Sequence, residues 1–256
     1  MEYGGRSPTA RGRPARARPR GLGRAAEQGP RGVQKKGRGE MPILTQIDEL
    51  HYREVRPLAV NAVDGTVLVY VPGGEFEMGD GQDSNCPKHR VQVSGYWIGV
   101  YCVTNRQYAA FVKATGHRAP EQADWGTPIW KNGRCPEERL EHPVVCVSWD
   151  DASAYGKWAG LELPTEAQWE KSARGPKGLI YPWGNEWDAS KCENVKGRGT
   201  TAVVWAYTVG CSPWGLYQMA GNVWEWCEDR YDKNAYTRHK QGELQAPSSK
   251  GRRGRR

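Results

Sequence analysis

From Thr66 to Val71 the chain reads Thr-Val-Leu-Val-Tyr-Val and then meets Pro72-Gly73-Gly74. A β-branched run ending in turn residues predicts a strand entering a turn. Glu75 to Gly79 alternates polar and apolar, as a half-buried strand does. Val91, Val93 and the stretch Trp97 to Tyr101 predict further strand pieces. Three later stretches change to a helical period, and each opens with the same capping chemistry. Thr104-Asn105-Arg106-Gln107 begins a helix with Tyr108, Phe111 and Val112 on one face and Gly116 as its stop. Ser148-Trp149-Asp150-Asp151 begins a second, with Ala152, Tyr155 and Ala159 as the inner stripe and Gly160 as the stop. Thr165-Glu166-Ala167-Gln168 begins a third, preceded by Pro164, with Trp169 and Ala173 inward and Gly175 ending it. Between Tyr181 and Tyr217 neither period is sustained. A stretch that long without regular structure is usually functional or held by an ion.

Composition changes this picture in one respect. The 256 residues hold 12 Trp, 12 Tyr and 32 Gly but only 2 Phe. Tyr and Trp need polar partners when buried, so the pattern predicts a loop-rich fold stitched by side-chain hydrogen bonds. Residues 1–40 are Arg-, Gly- and Pro-rich and carry a net +8, residues 250–256 carry +5, and the body between them comes to −5. Both tails read as solvated, disordered extensions. No aromatic residue follows Tyr3 in the head, so no base-stacking platform accompanies its charge, which argues against nucleic-acid contact. Met41 opens the globular sequence and is a candidate start of translation. The domains expected are a tail over 1–40, a lead-in over 41–65, one domain over 66–236 and a basic tail over 237–256. No apolar run reaches the roughly 18–20 residues of a membrane span. Seven cysteines, Cys86, Cys102, Cys135, Cys146, Cys192, Cys211 and Cys227, form no CxxC pair. They read as reduced thiols of a cytoplasmic protein.

Six blocks in order carry a resemblance. Val71-Pro72-Gly73-Gly74-Glu75-Phe76-Glu77-Met78-Gly79 is followed by Val103-Thr104-Asn105-Arg106-Gln107-Tyr108 and by His142-Pro143-Val144-Val145 with Val147-Ser148-Trp149-Asp150-Asp151-Ala152. Leu163-Pro164-Thr165-Glu166-Ala167-Gln168-Trp169-Glu170, Tyr181-Pro182-Trp183-Gly184, and Gly215-Leu216-Tyr217 through Gly221-Asn222-Val223-Trp224-Glu225-Trp226 complete the set. Over roughly residues 66–232 the chain resembles the formylglycine-generating enzyme (sulfatase-modifying factor) family. The resemblance implies an α+β, C-type-lectin-like fold with little regular structure. It also implies structural calcium. Asn194 and Val195 stand where the family's first calcium site takes an amide oxygen and a carbonyl. Gln218, Gly221, Val223 and Glu225 stand at the second, a donor set of side-chain oxygen, carbonyls and carboxylate that suits a hard cation. Gln218 is longer than the Asn or Asp usual there.

The family's activity oxidises a cysteine of a sulfatase peptide to formylglycine. It uses copper(I) on two cysteines beyond an Arg-Gly-Gly-Ser motif. Nothing after Trp226 matches that segment, Cys227 is the last cysteine, and Lys250-Gly251-Arg252-Arg253 stands where the motif is expected. The resemblance therefore leaves two functions open. One is a formylglycine-generating-type domain that lacks its copper thiolates through truncation or a frameshift. The other is a non-catalytic ligand-binding or display module on the same fold. A sulfoxide-synthase role is set aside, since residues 1–65 are too short for the added helical domain that carries its histidines.

Overall fold

The β-branched run folds as expected, into a strand over Val67–Val71 that forms the spine of a four-stranded antiparallel sheet. The computed structural model describes residues 33–34, 57–82, 86–122, 128–194, 200–230, 232, 234–240 and 253–255. Most of both basic tails, Met41 and Val195 lie outside the described residues. In chain order the strands are β1 (Val33–Gln34), β2 (Leu58–Asn61), β3 (Val67–Val71), β4 (Gly74–Met78), β5 (His89–Val93), β6 (Tyr96–Gly99), β7 (Trp226–Arg230) and β8 (Arg253–Arg255). The main sheet runs β1-β2-β3-β6, while β4 pairs with β5 and β7 with β8, all antiparallel. β2 lies inside the expected lead-in. Four residues, Leu-Ala-Val-Asn, are too few to set a period by themselves.

Helices α1 (Asn105–Thr115), α2 (Trp149–Ala159) and α3 (Glu166–Arg174) start where their caps predict. In each, the Ser or Thr side chain accepts from the third amide while the third residue's side chain accepts from the cap's own N–H. A short α4 (Ala235–Lys240) follows β7 and buries Tyr236 beside Phe76, Met78 and Val93. With these helices, sheets and long loops the fold is α+β. Between Tyr181 and Tyr217 the only helical pieces among the described residues are two 3-10 turns, Ala189–Lys191 and Thr208–Gly210.

Hydrophobic periodicity misjudges the buried face of α3. Ala173 is buried as expected, but so are Glu170, Lys171 and Ser172. Glu170 Oε1 accepts from the Gly79 amide at 2.7 Å and from Arg174 at 2.7 Å. Lys171 Nζ donates to the carbonyls of Pro72 at 2.8 Å and Gly74 at 3.1 Å. The helix thus fastens both ends of β4, the β3–β4 turn through Lys171 and the exit at Gly79 through Glu170, by polar groups whose burial is tolerable only because they are paired.

The same device recurs at the head of α1. Asn105 is fully buried. Its Nδ2 donates to the carbonyls of Arg139 at 2.9 Å, His142 at 3.2 Å and Pro143 at 3.3 Å. Its Oδ1 accepts from the Trp130 indole N–H at 2.7 Å. Around it pack Tyr108, Phe111, Trp130, Tyr155 and Ala159, the second core of the domain. At α2, Asp151 is also buried. Burial favours its neutral form, yet hydrogen bonds from the Ser148 amide and hydroxyl, His117 and Arg118 outweigh that and hold its carboxyl below the usual range.

Two measurements follow. Replacing Asn105 with Ala leaves the Trp130 N–H without its acceptor and removes the side-chain donor from the carbonyls of Arg139, His142 and Pro143, and urea melts should show a loss of about 2–4 kcal/mol; a change under about 1 kcal/mol would show that the hub is dispensable. Because Asp151 has a lower pKa folded than unfolded, its contribution is full above the unfolded carboxylate's pKa and is lost as pH falls through the native one. Asp151→Asn should therefore lower stability at neutral pH and flatten the acid limb of the stability curve. An unchanged acid limb would count against this account.

Candidate functional site

The carbonyls held by Asn105 belong to the segment that carries Arg139 and His142, and this fixes both side chains at the mouth of a pocket. The pocket has a volume of about 600 Å³. Arg139, His142, Glu193 and Tyr207 are among its lining residues, and Ala202 and Val203 supply apolar surface. The Arg139 Nη1 lies 3.4 Å from His142 Nδ1 and 3.4 Å from the Thr201 carbonyl. The Thr201 hydroxyl lies 2.9 Å from the same His142 Nδ1. A guanidinium can only donate. Arg139 can therefore only donate toward Nδ1, whereas the Thr201 hydroxyl can meet that nitrogen as donor or acceptor and the Thr201 backbone favours a proton on the ring. Burial, with the charge of Arg139 beside it, pushes the His142 pKa down and keeps the imidazole neutral at physiological pH.

Glu193 links this pocket to the loop in which the resemblance places calcium. It is buried, and its carboxylate accepts from the Tyr207 hydroxyl at 2.8 Å. Its carbonyl accepts from the Asn222 amide at 2.9 Å. Asn222 in turn pairs with Ala202 through both ends of its side chain, Oδ1 to the amide at 2.9 Å and Nδ2 to the carbonyl at 3.2 Å. Asn222 and Tyr207 both lie in the left-handed region, at φ 70° and φ 64°. Backbone strain of this kind persists where surrounding contacts over-determine it. The approach of the two loops is so close that a Cβ on Gly221 would sit 2.2 Å from the Glu193 carbonyl oxygen.

The residues expected at the second calcium site divide into two groups. Gln218, Gly221 and Val223 share one turn: the Gly221 amide donates to the Gln218 carbonyl and the Val223 amide to the Gly221 carbonyl. The Gln218 side chain is buried, donates from Nε2 to the Ala206 carbonyl at 3.0 Å and faces the Glu193 amide through Oε1 at 3.5 Å. It braces the pocket loop instead of reaching along its own turn. Glu225, just before β7, has its carboxyl beside Cys102 and Trp169. Burial raises its pKa to about 7, and the nearby Trp169 indole and Cys102 thiol only partly offset that. Asn194 uses its Nδ2 on the Ala189 and Cys192 carbonyls, at 3.0 and 3.1 Å. Among the described residues no group of three or more His, Cys, Asp or Glu is placed to hold a metal ion. A calcium site here would rest mainly on carbonyl and amide oxygens, with Glu225 as its carboxylate. Each carbonyl of the turn keeps a second lone pair beyond its hydrogen bond. Glu225, a half-buried residue, brings the one carboxylate of the expected set, and its stabilising neighbours are uncharged, which leaves that carboxyl suited to a hard cation.

Copper(I) fits less well. Burial raises the thiol pKa of Cys102 well above its usual value, of Cys135 to about 11 and of Cys211 to about 12, and it raises Cys146 and Cys192 as well. These sulfurs are held as thiols, whereas soft-metal ligation uses thiolate. None of the seven cysteines forms a disulfide.

Three hydrophobic clusters, three capped helices and the Trp-Glu-Trp turn are thus assembled around these loops. A family model for the Sulfatase-modifying factor enzyme 1-like domain matches residues 52–254. The chain belongs to this family. The formylglycine-generating enzyme of Thermomonospora curvata is 37% identical over 214 residues, covering 63% of this chain and 71% of that protein. A protein of Bos taurus named Inactive C-alpha-formylglycine-generating enzyme 2 is 33% identical over 215 residues, covering 64% of this chain and 71% of that protein. The Serine/threonine-protein kinase Pkn1 of Chlamydia trachomatis is 36% identical over 206 residues; these cover 76% of this chain, which spans only 32% of the kinase. The solved structure of PvdO from Pseudomonas aeruginosa superposes with a TM-score of 0.55 at 25% identity, over 71% of this chain and 77% of that one. The sulfatase-modifying-factor scaffold is therefore shown in both sequence and fold.

Sequence reasoning reached His142 only as part of a motif and did not reach Arg139, Glu193, Thr201 or Tyr207 as site residues. They come from three separate segments with no shared spacing. Gly221→Ala should force the 192–194 and 218–222 loops apart and cost about 1–3 kcal/mol. A thermal melt identical to that of the parent would show that the loops have slack.

Proposed function

We propose that this chain is a formylglycine-generating-type domain that retains the family scaffold and a calcium-binding loop but does not perform copper-dependent cysteine oxidation with its own sulfurs. The observation that carries this reading is the chemistry of the cysteines. Five of the seven have their thiol forms favoured by burial, and Cys102 has the Glu225 carboxyl as its neighbour. A negative neighbour disfavours a thiolate. The substrate of the family reaction, a cysteine-containing sulfatase peptide, would be the partner if the activity were present. The second reading is a ligand-binding module, supported by a pocket of about 600 Å³ lined by charges of both signs.

The test is direct. The chain, supplied with copper(I) and oxygen, is incubated with a cysteine-containing sulfatase peptide, and mass spectrometry is expected to show the cysteine unchanged. Formylglycine in the peptide would overturn the proposal. Calcium is tested separately, by melting the protein with added calcium and with a chelator. Saturating cation at about a hundred times its Kd should add about 2.7 kcal/mol. Glu225→Gln should abolish most of that gain, and a melting temperature indifferent to calcium would remove the calcium assignment.

A further inference from the structure

Away from the pocket and the calcium loop, the stretch from Ile180 to Trp187 gathers aromatic surface that the core does not use. Tyr181 and Gly184 close a tight turn on each other, with amide-to-carbonyl distances of 2.8 and 3.1 Å. The Tyr181 and Trp183 rings lie nearly parallel with centroids 5.5 Å apart. Trp187 packs against both, at 5.3 and 5.8 Å. None of these rings belongs to the three hydrophobic clusters. Trp187 is 51% exposed and Ile180 57%, so the loop presents an apolar shelf to solvent. The loop holds its own shape. The Trp183 indole donates to the Glu186 carbonyl at 3.0 Å, and the Asn185 side chain accepts from the Ile180 amide at 3.1 Å.

The same loop carries an unused acid. The Glu186 carboxylate is exposed and makes no hydrogen bond or ion pair among the described residues, and the Trp187 indole N–H makes no hydrogen bond there. Aromatic faces attract guanidinium groups, Trp most strongly. An exposed Trp with a carboxylate as its chain neighbour therefore favours arginine over a purely apolar ligand, which would desolvate Glu186 without return. The chain itself carries such a segment. Arg11-Gly12-Arg13-Pro14-Ala15-Arg16-Ala17-Arg18-Pro19-Arg20 has five arginines and no acid, in a head of net +8 against a body of −5. In the other basic tail, Arg253–Arg255 is already paired along β7. Between Arg11 and Val33, where β1 begins, the chain can extend to roughly 70 Å. That length reaches any face of a domain about 40–45 Å across.

We propose that the Arg11–Arg20 segment docks on the shelf of Tyr181, Trp183 and Trp187 of its own chain, its guanidinium groups stacked on the indoles and paired with Glu186, instead of trailing as a solvated extension. Arg16 and Arg18 are two residues apart, about 6–7 Å in an extended chain, close to the 5.3 and 5.8 Å between the Trp187 ring and its neighbours. Pro14 and Pro19 disfavour helix and keep the segment extended. Neither calcium nor copper chemistry enters this contact. Absence of formylglycine or of a calcium response leaves it standing, and its own failure leaves that reading untouched.

Limited trypsin digestion of the full chain, followed by mass spectrometry, tests it. The bonds after Arg11, Arg16 and Arg20 are open to trypsin, while Arg13 and Arg18 precede proline and resist; cleavage after Lys250 is the internal reference. The protease acts on the undocked head, so its rate reads the docked fraction. Trp187→Ala should speed cleavage after Arg16 about two- to fivefold relative to Lys250, the scale of one exposed cation–π contact. Glu186→Gln should speed it about twofold, the scale of an exposed ion pair. Glu162→Gln removes an exposed acid of the α2–α3 connection and should leave the rate unchanged. Circular dichroism and melting temperature check that the variants fold; should Trp187→Ala fail to fold, Glu186→Gln carries the test. Equal rates in the parent and the folded shelf variants overturn the proposal. So does an equal response to Glu162→Gln, which would reduce the effect to net charge. Protection that rises with protein concentration also overturns it, by giving the shelf to the head of a second copy.

Discussion

The amide side chain of Asn105 is the contact on which the arrangement of this domain most depends. It is wholly enclosed, and the hydrogen bonds that reach its two ends come from Trp130 and from the segment Arg139 to Pro143. A buried amide with this many partners is costly to misplace, because every alternative position leaves several polar groups without water or a substitute. It therefore gives a unique position to a stretch of chain that has almost no regular structure. The aromatic residues around it, Tyr108, Phe111, Trp130 and Tyr155, supply the apolar driving force. The amide decides which of many packings of those rings is adopted.

The same division of labour extends through the molecule. Lys171 and Glu170 pin the two ends of β4 from α3, Asn61 reaches the Ala159 carbonyl at the end of α2, and Asn222 imitates a strand for Ala202. A domain poor in helix and sheet cannot satisfy its backbone within secondary structure, so side chains take over the task. This explains the abundance of Tyr and Trp over Phe, since each brings a polar handle on a large apolar body.

Glu193 shows how structure and chemistry share these loops. Its backbone ties the 192–194 segment to the turn at 218–222, and the residue lines a pocket that Arg139 also lines. A cation at the turn and a ligand in the pocket would act on one piece of backbone. Membership of the sulfatase-modifying family accounts for the scaffold, but a scaffold does not by itself assign a reaction. The cysteines illustrate the point, since what burial does to their thiols runs against the thiolate that copper(I) requires.

Local chemistry in the chain was enough to determine the three helices, because a Ser or Thr cap, its reciprocal partner three residues on and a terminal glycine act over a few bonds. Strands β3 and β4 were legible for the same reason, as was the family, from blocks of adjacent residues. The buried face of α3 was not, since Glu170 and Lys171 are acceptable inside only through partners roughly 90 to 100 residues away in sequence. Nor could the chain alone show that Gln218 turns to Ala206, that Glu225 meets Cys102 and Trp169, or that Arg139 and Glu193 line one pocket. Those outcomes depend on contacts between distant segments, and only closure of the tertiary fold brings such segments within hydrogen-bonding range.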